Sequence, residues 1–496
     1  MSLARTAGAG VAWTGAGRFV AKAGGFVVTL VLARLLTPAD FGLVGMIAVV
    51  TGFLSVLADL GFSDALVQRK EVDEGHWTSV FWLNVATGFV LAGGLAALAP
   101  AIAAFFREPA LTALVRVIGL DFAISPFAAV PTARLTREMR FRTLAGVEAI
   151  SVIVASGVAL GMALAGFGVW ALVAHVLASS LTSVLVLWSV SGFRPQGGVR
   201  QSALGDLWRF SSNLLGYSTL HYWTRKSDDL LIGRVLGATP LGLYGRAYST
   251  MTMPVSDVGA VLARVMFPTF SKMQGDAEAT KKLYLQVLSL IAMGTFPVML
   301  ALSVLAPRFI VVLYGDQWAG AATVLSIFCV TGAFQAISTT VSWIYKSQGR
   351  TDVMMRWGLV SGTLTVGAIG VGIYLGSIES VALCYAIMNV VVLGYPELAI
   401  PGKLIGLAPV EIFRSVRGAL GCSLASTGVI FGLGFVLSPY LSGGADVFVR
   451  LTIGVLVYVT LLRVFGVESY QQFRRMAEER LNAYLADEPE AEAPEK

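Results

Sequence analysis

A long series of apolar segments, each about 20 residues long and bounded by charged residues, glycine or proline, runs through the chain. An α-helix rises about 1.5 Å per residue, so about 20 apolar residues cross the hydrocarbon core of a bilayer. Only 13% of the 496 residues are charged, whereas an average soluble domain has about a quarter. The sequence therefore predicts an all-α polytopic membrane protein and argues against a soluble enzyme.

Fourteen apolar segments can be delimited, and we expect each to be a transmembrane helix. No connection between them is long enough to hold a soluble catalytic domain. The segments are residues 11–36, 42–67, 80–105, 111–131, 145–164, 169–190, 210–236, 243–267, 283–305, 321–345, 357–375, 378–395, 420–436 and 447–462.

Basic residues alternate between the connections that join these segments. When the ends of the adjoining segments are counted with them, the even-numbered connections hold nineteen Lys and Arg residues, and the odd-numbered ones hold only Arg34, Arg107, Arg234 and Arg308. Short cytoplasmic loops retain Lys and Arg, so the pattern predicts that the even-numbered connections and both termini are cytoplasmic. Because the net charge of +6 is spread over short clusters, we expect no nucleic-acid partner.

The chain contains an internal repeat. LARLL at 32–36 and GLVG at 42–45 match IGRVL and GLYG at a shift of 200, and LAALAP at 95–100 matches LSVLAP at a shift of 207. Six spans separate the copies, so the repeats are parallel, and such repeats place a substrate site between two lobes. We predict an N-lobe at 1–200 (helices 1–6), a C-lobe at 201–400 (helices 7–12) and helices 13 and 14 at 401–466. A cytoplasmic tail follows at 467–496, and we expect it to be amphipathic at first and then acidic and disordered.

Basic residues also lie inside the first helix of each predicted lobe: Arg18 and Lys22 in the first, Arg225 and Lys226 in the second. A charge at membrane depth is costly unless it faces a cavity or a partner. Arg offers bidentate hydrogen bonds and Lys a point charge, which suits a phosphate or pyrophosphate. We predict that these four residues bind the substrate. The alternatives are that Arg18 and Lys22 reach back to the cytoplasmic interface, and that Arg225 pairs with Asp229, and Lys226 with another acid, as structural contacts.

Transport against a gradient needs a coupling ion, and buried carboxylates are its usual carriers. Asp59, Asp121, Asp228, Asp229 and Asp257 fall within or near the spans, and spacing alone singles out none of them. Asp59, Asp228 and Asp229 are the candidates for coupling or for partnering the basic residues, with H⁺ or Na⁺ as the ion. The three cysteines lie in apolar segments without paired spacing, so we expect no metal or other cofactor.

Two groups of motifs give the chain a family resemblance. LARLLTPADFGLVG at 32–45, with DLGF at 59–62 and LVQR at 66–69, and DDLLIGRVLG at 228–237, leading into LGLY at 241–244, lie at equivalent places in the two repeats. These stretches resemble the bacterial Wzx-type polysaccharide exporters, or lipopolysaccharide biosynthesis flippases. That group belongs to the multidrug/oligosaccharidyl-lipid/polysaccharide (MOP) superfamily, which also contains the multidrug and toxic compound exporters (MATE) and the lipid II flippase.

The resemblance implies a MATE/MOP-like fold and a function. The substrate would be an oligosaccharide linked by pyrophosphate to a polyprenyl lipid, turned across the bacterial inner membrane by alternating access during lipopolysaccharide or exopolysaccharide biosynthesis. Helices 13 and 14 would lie beside the two lobes and contact the lipid tail. Membrane lipids and the polymerase or export machinery are the other candidate partners.

Two other classes of protein remain open from the residues alone. A small-molecule or multidrug exporter of the same superfamily would handle cations, and its cavity should be acidic, so the basic first helices count against it. A membrane polysaccharide polymerase or glycosyltransferase would need a large outward loop. The longest one here is 306–320, which holds no paired carboxylates and no metal-ligand cluster. We therefore expect no catalytic residues and a transporter rather than an enzyme.

Overall fold

The computed structural model describes residues 24–58, 62, 66–67, 72–200, 222–223, 225–437 and 439–486, with the side chains of 256–265, 267, 476–477 and 480–486 left undescribed. The predicted site residues Arg18, Lys22 and Asp59 lie outside the described residues. The predicted first and seventh spans fall only partly inside them.

Every regular element of the described chain is helical. The numbering below follows chain order, and α7 is given by its described part. The helices are α1 (Gly24–Leu35), α2 (Pro38–Ala58), α3 (Glu74–Phe106), α4 (Leu111–Ile124 and Pro126–Arg137, bent by 40°), α5 (Phe141–Leu164), α6 (Trp170–Val190), α7 (225–235), α8 (Ala238–Lys272), α9 (Ala277–Tyr314), α10 (Ala321–Ser347), α11 (Thr351–Tyr374), α12 (Ile378–Ile405), α13 (Pro409–Leu437), α14 (Gly443–Val464) and α15 (Glu468–Ala486).

The described helices include ten that are long and apolar enough to cross a membrane, and the bent α4 makes an eleventh. These eleven coincide with predicted spans 2–6 and 9–14, which confirms an all-helical, multi-pass membrane protein. Several helices begin earlier than predicted: α9 starts at Ala277 and α13 at Pro409. The prediction stopped at the first charged residues, whereas the helices continue into the interface, where long basic side chains reach water.

The chain divides into two compact units. The first comprises Met1–Gly245, Leu313–Trp318 and Gly376–Ile378, and the second comprises Arg246–Val312, Ala319–Leu375 and Glu379–Lys496. The predicted lobe boundaries near residues 200 and 400 stay predictions.

An aromatic cluster forms part of the core of the first unit. The buried ring of Phe81 on α3 lies 5.5–5.9 Å, centroid to centroid, from the rings of Phe127, Trp188 and Phe193. The Trp188 indole N–H donates to the carbonyl oxygen of Phe127 at 2.9 Å. Because the polar edge of the indole is satisfied within the cluster, these large side chains can pack without a polar penalty.

A buried carboxylate joins three helices of the second unit. Asp446, in the first turn of α14, is 0% exposed. It pairs with Arg450 one turn later at 2.6 Å and with Arg308 near the end of α9. Arg450 also donates to the carbonyl oxygen of Gly434 on α13 at 3.4 Å. Two guanidinium groups thus surround one carboxylate, which offsets the cost of burying the charge. Sequence analysis did not identify this triad.

Candidate functional site

The acidic and basic residues of α7 contact one another. Lys226 Nζ lies 2.7 Å from Asp229 Oδ2, one helical turn away. Asp228 accepts hydrogen bonds from the Tyr244 hydroxyl at 3.2 Å and from the backbone N–H of Asp229 at 2.8 Å. Asp229 therefore pairs with Lys226, and the alternative Arg225–Asp229 pair is not formed. Each carboxylate has a different partner, although the two aspartates are adjacent in the chain.

Arg225 differs from Lys226 in its surroundings. Its side chain is exposed, and within the described part of the chain it has no ion-pair partner. The Lys226 side chain is 41% exposed, whereas that of Asp229 is only 20% exposed. Arg225 and Lys226 thus form an accessible basic edge of this cluster. The carboxylate of Asp229 is less accessible than either.

Two aromatic residues just before α7 in the chain, Tyr222 and Trp223, contact α2. The Tyr222 hydroxyl donates to the carbonyl oxygens of Val49 at 2.6 Å and Ala48 at 3.2 Å. The Phe53 ring lies 5.0 Å from the Trp223 ring and 6.0 Å from the Tyr222 ring. These contacts place the residues two and three positions before α7 against α2. Sequence analysis missed both aromatics, because they read as ordinary apolar residues of the seventh span.

The repeated turns meet in the first unit. A methyl group on Gly42 of α2 would overlap the backbone carbonyl of Ala238, and one on Gly242 of α8 would overlap the backbone carbonyl of Pro38. The two contacts are reciprocal, and both pairs of positions are related by the shift of 200 found in the sequence. Helices α2 and α8 therefore cross backbone to backbone near their first turns, where only glycine leaves room.

The arginines of the repeated turns each contact the end of another helix. Arg34 Nε donates to the carbonyl oxygen of Leu313, near the end of α9, at 3.2 Å. Arg234 places its guanidinium 5.3 Å from the ring centroid of Phe105, near the end of α3. Gln317 donates to the carbonyl oxygens of Ala33 and Leu36 at 2.7 and 2.9 Å, which satisfies groups that a helix end leaves unpaired. Both arginines thus link a repeated turn to the end of another helix.

Gly242→Ala is expected to lower the melting temperature in detergent, whereas Gly245→Ala, three residues along the same helix, should not. A methyl group at 242 must displace backbone, and overpacking costs about 1–3 kcal/mol. At Gly245 nothing lies within 4 Å of the added methyl group, and alanine gains about 1 kcal/mol in helix propensity. Gly42→Ala should resemble Gly242→Ala, and the double variant should cost less than the sum, because the first methyl group already parts the helices. Equal effects at 242 and 245 would refute the crossing.

Similarity to known proteins agrees with this fold. The family described as "Polysaccharide biosynthesis protein" matches residues 31–323. The succinoglycan biosynthesis transport protein ExoT of Rhizobium meliloti (strain 1021) is 31% identical over 374 residues, covering 75% of each chain. The lipopolysaccharide biosynthesis protein WzxC of Escherichia coli (strain K12) is 25% identical over 457 residues, covering 89% of this chain and 90% of that protein.

A solved structure has the same architecture. The lipid II flippase MurJ, in an inward closed conformation, superposes with a TM-score of 0.73 at 14% sequence identity, covering 91% of this chain and 98% of that chain. At this identity the likeness shows the fold alone. With the family match over more than half of its length, the chain belongs to the polysaccharide biosynthesis proteins of the Wzx type.

Proposed function

We propose that this protein is a flippase that moves a polyprenyl-pyrophosphate-linked oligosaccharide across the bacterial inner membrane by alternating access, for the synthesis of a surface polysaccharide. The names of its relatives, a succinoglycan transport protein and a lipopolysaccharide biosynthesis protein, support the substrate class. The observation that carries the proposal is the accessible basic edge of α7 in a chain otherwise poor in charge within its spans.

The α7 cluster suits an anion that arrives and leaves. With no substrate bound, Asp229 neutralises Lys226, which avoids an unpaired cation at membrane depth. A pyrophosphate offers more acceptor oxygens and more charge than a single carboxylate, so it replaces Asp229 at Lys226. Arg225, already without a partner among the described residues, adds bidentate hydrogen bonds. Arg18 and Lys22 are proposed, from the sequence, to complete the site.

The displaced carboxylate provides a route to ion coupling. Once the substrate takes Lys226, Asp229 lies beside Asp228 without its cation, and two adjacent carboxylates favour uptake of a proton or Na⁺. Departure of the substrate restores the Lys226–Asp229 pair and releases the ion. Asp59 stays a second candidate from the sequence. Transport assays in vesicles with an imposed proton or sodium gradient distinguish the two ions.

Deleting the protein tests the proposed function directly. The expected result is that the lipid-linked oligosaccharide accumulates in the inner leaflet and that surface polysaccharide is lost, with both restored by the wild-type chain. Normal export in the deletion strain, or a build-up of unlinked sugar precursor instead of the lipid-linked form, would contradict a flippase.

The proposed topology has both termini and all even-numbered connections in the cytoplasm, because these connections carry most of the basic residues. Single cysteines replacing Arg137 and Ala319, introduced after the three native cysteines are changed to alanine, should label from opposite sides of the membrane. An impermeant maleimide added to intact cells with a permeabilised outer membrane should modify position 319 and not 137. Labelling of both positions from outside would overturn the topology.

A further inference from the structure

A cavity of about 790 Å³ lies in the second unit, away from the α7 cluster in sequence. Helices α9 and α13 form its walls, and the end of α14 and the start of α15 close it. We call it the α13 cavity. Because α9 and α13 both begin on the side predicted to be cytoplasmic, the cavity opens at that interface.

Three basic residues stand at the mouth of the α13 cavity: Lys282 of α9, and Arg414 and Arg417 of α13. All three side chains are exposed, and among the described residues none has an ion-pair partner. Their neighbour Lys281 differs, because it pairs with Glu411 at 2.8 Å. Glu411 is thus paired with Lys281, and Glu468, the acid that lines the cavity, accepts a hydrogen bond from Gln472 at 3.3 Å. The three cations outnumber this one acid, so the opening carries an excess of positive charge.

Behind the cations, the cavity becomes a slot with apolar walls. Gly418, Gly421 and Ala425 follow one face of α13, and Leu461 and Phe465, at the end of α14, also line the slot. A methyl group added at Gly421 would meet nothing within 4 Å, whereas one added at Gly418 would lie 3.1 Å from the Val467 side chain. The open space is therefore at Gly421. The slot therefore has the apolar chemistry of a path for a hydrocarbon chain.

One buried polar group in the cavity wall lacks a partner. Ser469, in the first turn of α15, is only 3% exposed, and its hydroxyl has no hydrogen-bond partner in the described structure. Buried hydroxyls are nearly always hydrogen-bonded. Since Ser469 lines the cavity, an oxygen atom of a bound ligand would satisfy it.

We propose that the α13 cavity binds an anionic glycerophospholipid from the leaflet on the predicted cytoplasmic side. The phosphate contacts Lys282, Arg414 and Arg417, the Ser469 hydroxyl donates to an acyl-ester oxygen, and one acyl chain enters the slot. Basic pockets between helices at this interface recognise lipid headgroups in this way. An inorganic phosphate would leave the apolar slot empty, and a polyprenyl phosphate has no acyl ester to offer Ser469.

The test measures lipid binding by native mass spectrometry of the delipidated full-length protein. The probes are phosphatidylglycerol, phosphatidylethanolamine, a polyprenyl phosphate and inorganic phosphate. Phosphatidylglycerol is expected to bind in preference to the other three. Equal retention of phosphatidylethanolamine, stronger binding of the polyprenyl phosphate, or displacement of phosphatidylglycerol by millimolar phosphate would overturn the proposal.

Two pairs of variants test the two ends of the cavity separately. Lys282→Ala, Arg414→Ala and Arg417→Ala together should weaken phosphatidylglycerol binding by about 100-fold. The matched control changes three exposed cations outside the cavity, Lys272, Lys346 and Arg475, and should bind normally. If both triple variants lose lipid binding equally, the loss follows from the lower net charge of the protein. That result would contradict a specific binding site.

Gly421→Leu fills the slot and keeps every charge. It should also weaken phosphatidylglycerol binding, whereas Gly428→Leu, two turns along α13 and equally open, should not. Normal binding by Gly421→Leu would show that no acyl chain enters the slot. The melting temperature and monodispersity of each variant are measured as well. Only variants that match the wild-type protein in both are compared for lipid binding.

Discussion

Lys226→Ala is expected to abolish most of the export of surface polysaccharide while the protein stays in the membrane at normal abundance. A hydrogen bond to a charged group contributes about 1.5–3 kcal/mol, which corresponds to about 10- to 100-fold in affinity. Lys226→Arg should keep part of the activity, because it preserves the cation, and Lys226→Glu should keep none. The measurement is surface polysaccharide in a deletion strain carrying each variant, normalised to extracted protein.

A double variant separates substrate binding from a structural role for the Lys226–Asp229 pair. Lys226→Gln with Asp229→Asn removes both charges and leaves no unpaired group. If the pair only stabilises α7, this neutral variant should export normally, since replacing both partners can be nearly neutral. If Lys226 binds pyrophosphate, the neutral variant should fail as completely as Lys226→Ala. Lys272→Ala, at an exposed lysine near the end of α8, is the matched control and should export normally.

Arg225 adds a second test of the same site. Arg225→Ala should reduce export without changing thermal stability, because its side chain is exposed and has no ion-pair partner in the described chain. Full export by Arg225→Ala combined with Lys226→Ala would remove α7 from the binding site and leave the substrate class resting on family similarity.

The repeat and the spans could be predicted because both are visible as patterns along the sequence. Apolar length predicted eleven described spans, and the shift of 200 predicted equivalent turns at Arg34 and Arg234. The crossing of α2 and α8 was not predictable. A Gly-flanked turn indicates that another backbone approaches closely, but it does not indicate which one. Gly42 faces Ala238 because the two repeats meet there, a fact of packing that no local pattern contains.

The partners of charged residues were predictable only in part. On a helix, positions three and four apart are equally close, so spacing alone allowed Asp229 to pair with Arg225 or with Lys226, and the structure forms the Lys226 pair. Asp446 and Arg450 are four apart and readable as a pair, but Arg308 joins them from 138 residues earlier in the chain. Likewise, the α13 cavity gathers residues from four helices. Contacts of this range depend on how the helices pack.

Asp446→Ala is expected to destabilise the protein by about 3–5 kcal/mol, because it leaves two guanidinium groups close together around a site that was 0% exposed. Loss of the carboxylate also removes an acidic group from the first turn of α14, where it interacts favourably with the helix dipole. The melting temperature in detergent, read by retention of monodisperse protein after heating, measures the loss. Asp316→Asn, at an exposed aspartate, is the control and should change stability by no more than about 0.5 kcal/mol.

A triple variant shows whether the cost comes from the unpaired charges or from the shape of the site. Asp446→Leu, Arg308→Met and Arg450→Met together replace the triad with apolar side chains of similar length. Buried ion networks exchanged as a whole for apolar groups are often neutral or stabilising by about 1–4 kcal/mol, so the triple variant should recover most of what Asp446→Ala loses. Recovery would mean that the shapes of the side chains determine how α9, α13 and α14 pack. The charges of the triad would then need only to neutralise one another. If the triple variant is as unstable as Asp446→Ala, the triad itself fixes the geometry of the three helices, including the α9 and α13 walls of the α13 cavity.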